Sequence, residues 1–307
     1  MIRKAVIPAA GFGTRILPIT KSLPKEMYPI IDRPAIDYII EEAYNSGITD
    51  ILIITTRNKE IIENYFDSNP ELENFLINKN KENLLKNIKK YENLNIYFTR
   101  QHESKGLGHA IMCAENFVNN EPFAVLYPDD IIYSFEERPV CRQLIDIYNE
   151  FKLGVVGAKE VPESEIHKYG SLKIQKIREK IYKCTDMIEK PSINQAFSLY
   201  SIFGRCILTP EIFEILKNTE PGINGEIQLT DAMKILARKQ NMIALDFNGK
   251  RYDMGNKLEI LIANIEFGLK HSEISSDFKK YLNNLIKATP HRMGRKTEEE
   301  INRMTRN

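Results

Sequence analysis

The chain has 307 residues, enough for one large α/β domain or two small ones with a substantial buried core. Its 43 basic and 42 acidic side chains leave a net charge of +1, so no overall field gathers a polyanion, and nucleic acid and membrane surfaces are excluded as expected partners. No apolar run approaches the ~20 residues of a membrane helix, no secretory signal is visible, and Cys113, Cys141, Cys184 and Cys206 show neither CxxC pairing nor metal-ligand spacing, which together predict a reduced cytoplasmic protein.

In chain order, strands are expected at 4–8, 50–55, 95–100 and 123–127, each almost wholly apolar as in a sheet covered on both faces. Between them, Pro34 opens a helix ending near Gly47, a second helix spans Asn58 to Phe66, a long polar helix spans 71–92 and another 108–118. The alternation predicts parallel βαβ units. After residue 151 a further strand is expected in LGVVGAKEV, and GSLKIQKIREKIYKC alternates as a half-exposed hairpin does. A strand at 199–208 and helices near 210–218, 229–240 and 256–270 follow, and the charged end HRMGRKTEEEINRMTRN reads as a tail or a partner-dependent helix.

The loop after the first strand, Gly11-Phe12-Gly13-Thr14-Arg15, lacks the third glycine of a dinucleotide fingerprint and the Gly-Lys-Ser/Thr ending of a Walker A loop. It retains a bare backbone turn able to approach a phosphate or a base edge, followed by one arginine whose guanidinium grips two oxygens at once. Ten residues on, Lys25 sits in a proline-stiffened segment, KSLPKEMYP. Taken alone, each feature also fits a tight turn and a solvated Lys-Glu pair.

The stretch AVIPAAGFGTRILPITKSLPKEMYPIIDRPAIDYIIEEAYNSGITDILIIT closely resembles the N-terminal signature of bacterial UTP–glucose-1-phosphate uridylyltransferases (UDP-glucose pyrophosphorylases), within the sugar-nucleotidyltransferase family. The blocks RQHESKGLGHAI, YPDDII, YGSLKI, MIEKP, NGEIQLTDA and RYDMGNKL continue the match in order across most of residues 3 to 270. The resemblance implies an α/β fold: a Rossmann-like mixed, mostly parallel sheet with helices on both faces, a small β-hairpin extension and C-terminal helices. It implies a catalytic domain over 1–270, with a nucleotide half at 1–150 and a sugar half at 151–270, followed by a helix and tail at 271–307. The implied reaction joins UTP and glucose 1-phosphate into UDP-glucose and pyrophosphate with Mg²⁺. The same chemistry with dTTP or another hexose 1-phosphate stays open, as does a catalytically silent nucleotide-binding paralogue. Family members form dimers or tetramers, which points to 256–287 as an interface.

By the same resemblance, Arg15, Lys25 and Lys190 are the catalytic cations, with Lys25 nearest the α-phosphate. Ala10, Gly11, Gly13, Gln101 and Gly106 hold the nucleotide, Gln101 facing the uracil edge that thymine shares. Gly170, Glu189 and Lys190 hold the sugar phosphate, and Asp129 and Asp253 are the metal ligands. Asp129 and Asp130 are neighbours on a strand end, so only one is expected to reach the metal. His109 is expected at a helix start without an acid or base role, and Thr230 or Asp231 as a helix cap. Leu199, where the family usually has asparagine, together with Tyr200 and Phe203, is expected near the sugar pocket, leaving the hexose open. Tyr28 and Tyr127, in place of leucines, read as packing.

Overall fold

The computed structural model describes residues 2–91, 93–222 and 225–288; the expected tail at 291–307 lies outside them. The strands are β1 (Lys4–Pro8), β2 (Pro29–Ile30), β3 (Arg33–Pro34), β4 (Asp50–Thr55), β5 (Asn95–Arg100), β6 (Phe123–Leu126), β7 (Asp130–Ser134), β8 (Val155–Glu160), β9 (Ser171–Arg178), β10 (Ile181–Ile188), β11 (Tyr200–Leu208), β12 (Met242–Asp246) and β13 (Gly249–Asp253). The helices are α1 (Ala35–Asn45), α2 (Glu60–Phe66), α3 (Pro70–Asn78), α4 (Glu82–Ile88), α5 (Leu107–Met112), α6 (Glu115–Val118), α7 (Val140–Phe151), α8 (Glu211–Lys217), α9 (Leu229–Gln240), α10 (Lys257–Gly268) and α11 (Ser275–Ala288).

Nine strands form one sheet in the order β5-β4-β1-β6-β11-β8-β12-β10-β9, in which all but β10 and β11 run the same way. The run from β5 to β6 is parallel; β4, β1 and β6 are buried and carry apolar residues toward both faces, whereas β5, at the sheet's edge, is exposed or half-buried along its length, so the cover expected on both faces fails there. Ala5, Ile7, Ile51 and Ile53 point into a core built with α1 and α7, while Val6, Leu52, Ile54 and Val125 point into a second core built with α5, α8 and α9. The alternation of side chains along each strand divides the two cores. The sheet is continuous across residue 150, because β11 and β8 join the strands of the first half to those of the second. A single pairing of Ser201 with Ser171 brings β9 back to β11, so the far half of the sheet curls onto itself.

The expected hairpin is β9–β10, and it forms the sheet's far edge through β10 and β12. Two expected helices are each divided. The run 71–92 contains α3 and α4, separated at Asn80, whose left-handed φ of 52° ends the first helix. The run 108–118 contains α5 and α6. A small antiparallel ribbon, β7 with β13, was not anticipated; it pairs Asp130 with Asp253 and forms a third core with Ile16, Ile30 and Met254. None of the described helices is long and apolar enough to cross a membrane.

Candidate active site

The loops after β1, β5 and β6 open on one side of the sheet, where ligands of open α/β sheets bind. They enclose a cavity of about 420 Å³ lined by Ala10, Gly11, Gly13, Lys25, Gln101, Gly106 and Asp129. A larger cavity of about 1030 Å³ adjoins it, lined by Arg15, Asp129, Gly170, Glu189, Lys190 and Asp253. Leu107, Tyr127 and Asp129 line both, so the two form one cleft. Every residue proposed from sequence for substrate or metal faces it. Tyr127, expected to serve packing, does pack against the second core and also forms part of the shared wall, and Glu226 lines the smaller cavity.

The glycine loop is held from below. Lys59, buried at the start of α2, donates to the carbonyls of Ala9 (2.6 Å) and Gly11 (2.8 Å) and pairs with the fully buried Glu26 at 2.9 Å. One lysine thus ties the loop to the segment that carries Lys25. Gly13 has φ +68°, a conformation that side chains resist, and its carbonyl accepts from Thr20 Oγ1 at 2.9 Å.

Charge in the cleft alternates along a chain of six side chains. Lys25 Nζ is 2.6 Å from Asp129 Oδ2, and Arg15 Nη2 reaches the same oxygen at 3.4 Å. Arg15 then grips Asp253 through Nη1 at 2.8 Å and Nη2 at 3.3 Å. Arg251 Nη2 lies 3.8 Å from Asp253 and 2.6 Å from Asp130. Burial raises the Asp129 carboxyl, but Lys25 and Arg15 more than offset it and hold the group well below the usual carboxylate range. Burial likewise works against a charged Lys25, and Asp129 and Glu26 outweigh it, so the ammonium is held above its ordinary value. Asp129, in the turn before β7, faces the cations of the loop, while Asp130, the first residue of β7, turns to Arg251.

At the nucleotide end, Gln101 is buried, and its amide nitrogen donates to Gly106 O at 3.1 Å and meets His109 Nδ1 at 2.9 Å. Burial, then the charge of Lys105, pull the His109 pKa below its ordinary value, so the neutral ring accepts from Gln101. The Gln101 oxygen is left as the acceptor for a ligand. Gly106, at φ +92°, makes room for a neighbouring segment: a Cβ there would come within 2.7 Å of Glu226 Cβ and 2.9 Å of Ile227 O.

At the other end, Glu189 and Lys190 follow β10, and Gly170 precedes β9. Thr230 does not cap α9, whose first turn follows Gln228; its hydroxyl donates to Glu189 Oε2 at 2.7 Å and fixes that carboxylate. Lys190 has φ 42°, its N–H donates to Tyr169 O, and its side chain is exposed in the cleft. Of the three residues expected near the sugar pocket, only Phe203 lines the cleft. Tyr200 packs against Tyr182 with ring centroids 5.1 Å apart, and Leu199 lies outside the cavity lining, its carbonyl accepting from Val161 N–H.

A cleft that brings two anion-gripping cations against paired carboxylates suits transfer of a phosphorylated group. The model of the nucleotidyl transferase family matches residues 4–267. This chain belongs to that family. It is 48% identical over 285 residues to the UTP–glucose-1-phosphate uridylyltransferase of Staphylococcus epidermidis, covering 92% of this chain and 98% of the relative. It is 46% identical over 286 residues to the enzyme of that name from Bacillus subtilis, covering 93% and 97%. A solved UDP-glucose pyrophosphorylase complexed with UDP-glucose superposes with a TM-score of 0.82 at 43% identity, covering 88% of this chain and all of that one. The mixed, mostly parallel sheet flanked by helices is therefore the nucleotidyltransferase fold of those structures.

Proposed function

We propose that this transferase forms UDP-glucose and pyrophosphate from UTP and glucose 1-phosphate. An oxygen of the sugar phosphate attacks the α-phosphorus of UTP, the bond from that phosphorus to the bridging oxygen breaks, and pyrophosphate leaves on the opposite side. Both reactants are anions, so the protein's task is alignment and neutralisation of charge. The observation that carries this reading is the single cleft with Lys25 and Gln101 in its smaller part and Arg15, Glu189 and Lys190 in its larger part.

In this reading Ala10, Gly11 and Gly13 approach the nucleotide, and the Gln101 oxygen accepts from uracil N3–H. Lys25 and Arg15 bind the triphosphate, Glu189 accepts from sugar hydroxyls beside Gly170, and Lys190 meets the sugar phosphate. Asp129 and Asp253 suit Mg²⁺, a hard cation that takes carboxylate oxygens with phosphates and waters. The Arg15 guanidinium lying across both carboxylates supports a cation position there. Among the described residues no group of three or more His, Cys, Asp or Glu side chains assembles for a metal, so phosphate oxygens would complete the set. A bound Mg²⁺ would supply charge neutralisation at the transferred phosphate.

The exposed Leu258, Leu261, Leu269 and Tyr281 on and beside α10 and α11 support a homo-oligomer through these helices. The free thiols, three of them buried, support a cytoplasmic setting. Steady-state rates with UTP, dTTP, ATP and GTP against glucose, galactose and N-acetylglucosamine 1-phosphates test the reading. UTP with glucose 1-phosphate should be preferred by at least tenfold, and a preference for any other pair would overturn it.

A further inference from the structure

Arg251 has no part in the roles assigned so far, yet it is the most heavily engaged side chain in the cleft. Its Nε donates to Asp130 Oδ1 at 2.7 Å, its Nη2 lies 2.6 Å from the same oxygen, and its Nη1 donates to Tyr169 Oη at 3.3 Å. Its guanidinium carbon stands 4.7 Å from the centre of the Phe203 ring and 5.2 Å from that of Tyr169, and those two rings are 4.9 Å apart. The Asp130 carboxylate takes Nε and Nη2 and the Tyr169 hydroxyl takes Nη1, the N–H groups with which an arginine would grip a phosphate, while the two rings pack beside the guanidinium. Arg251 acts through its neighbours.

Those neighbours belong to both ends of the cleft. Arg251 lies on β13, two residues before Asp253 and 3.8 Å from its carboxylate. Tyr169 precedes Gly170, and its carbonyl accepts the N–H of Lys190 at 3.1 Å. Glu189, beside Lys190, completes the sugar end. A continuous path of contacts therefore runs from Asp253 through Arg251 and Tyr169 to Gly170 and Lys190.

We propose that Arg251 is a positioning residue, a strut that sets the spacing between the carboxylate Asp253 and the sugar-side turns at Gly170 and Lys190. The proposal rests on the reading of the two ends of the cleft given above. Phe203, the bulky side chain at this point of β11, is the wall against which the strut is stacked.

The test compares wild type with Arg251→Lys, Arg251→Met and the double variant Asp130→Asn/Arg251→Met, which removes both partners of the buried pair and so keeps a variant that folds. Calorimetry gives affinities for UTP alone and for UDP-glucose, and steady-state kinetics gives kcat and both KM values. The strut predicts that UTP affinity stays within threefold of wild type in every folded variant. UDP-glucose affinity should fall and the KM for glucose 1-phosphate rise by about tenfold or more, because UDP-glucose spans both ends and glucose 1-phosphate depends on the sugar end that the strut places. Arg251→Lys should be as impaired as Arg251→Met, since an ammonium cannot fill the stack and the two bonds together. Equal losses for UTP and UDP-glucose, or a double variant within threefold of wild type for both, would overturn the strut. Wild-type protein that bound neither ligand would overturn the functional reading and the strut with it.

Discussion

Lys25 Nζ lies 2.6 Å from Asp129 Oδ2, so a cation proposed for phosphate and a carboxylate proposed for metal hold each other before any ligand arrives. In the reaction proposed above, Lys25 passes to an anion as Asp129 passes to a cation. Neither charge is left buried and alone at any stage, a condition that would otherwise cost several kcal/mol.

Replacing Lys25 with methionine should lower kcat by about 10²–10³-fold, the usual loss on removing one preorganised charge from a transition state. The melting temperature should change little, because Arg15 still reaches Asp129. Lys25→Arg should not restore the rate, as the half-buried site fits a compact ammonium. Near-normal turnover in Lys25→Met would remove this lysine from the mechanism.

Chelation with EDTA should abolish turnover, and added Mg²⁺ should restore it. In Asp253→Asn the Mg²⁺ concentration for half-maximal rate should rise by roughly tenfold or more. Titrating the metal at fixed substrate checks this, and a full rate in EDTA would show that the carboxylates serve Arg15 alone.

Lys59 is expected to matter for stability as much as for activity. Lys59→Met strands a buried Glu26 carboxylate and frees two loop carbonyls, a change worth about 3–5 kcal/mol by the usual cost of breaking a buried pair. Urea unfolding measures it. Lys59→Met/Glu26→Gln should recover part of the loss while the glycine loop, still unanchored, keeps UTP binding weak.

His109 gives the site an acid limb. Its pKa is lowered on folding, so the unfolded chain takes up the proton first as pH falls. The stability contributed by the neutral ring is full above the ordinary value near 6.5 and is lost as pH drops through the lower folded value. Protonation also turns Nδ1 into a donor facing the Gln101 amide. UDP-glucose affinity should therefore weaken as pH falls past the ordinary imidazole value and through the lower folded one in wild type, and show no such fall in His109→Asn.

β1 and β4 were legible because burial on both faces makes them continuous apolar runs, and β5, half-buried at the sheet's edge, falls where the sequence put it through its β-branched and aromatic residues. The β7–β13 ribbon was not, since Asp130-Ile-Ile-Tyr-Ser and Gly249-Lys-Arg-Tyr-Asp mix charge with apolar residues and pair across a long loop. The charged residues of the cleft came from matched motifs, and the structure gathers them. Lys59 left no trace, because a lysine at a helix start reads as solvated until the carbonyls it serves are seen. Arg251 had a signal in RYDMGNK, two residues before Asp253, which passed unused. Leu199 and Tyr200 stand ahead of the stretch of β11 that lines the cleft, Ile202 to Gly204, and the motif comparison does not show where along the strand that stretch begins.

The alternating row of Lys25, Asp129, Arg15, Asp253, Arg251 and Asp130 sums to zero. A pocket so balanced offers little pull at a distance on the inorganic phosphate and stray polyanions of a crowded cell. Each of its cations is already matched by a carboxylate, so an anion gains a grip there only where it displaces one of these pairs.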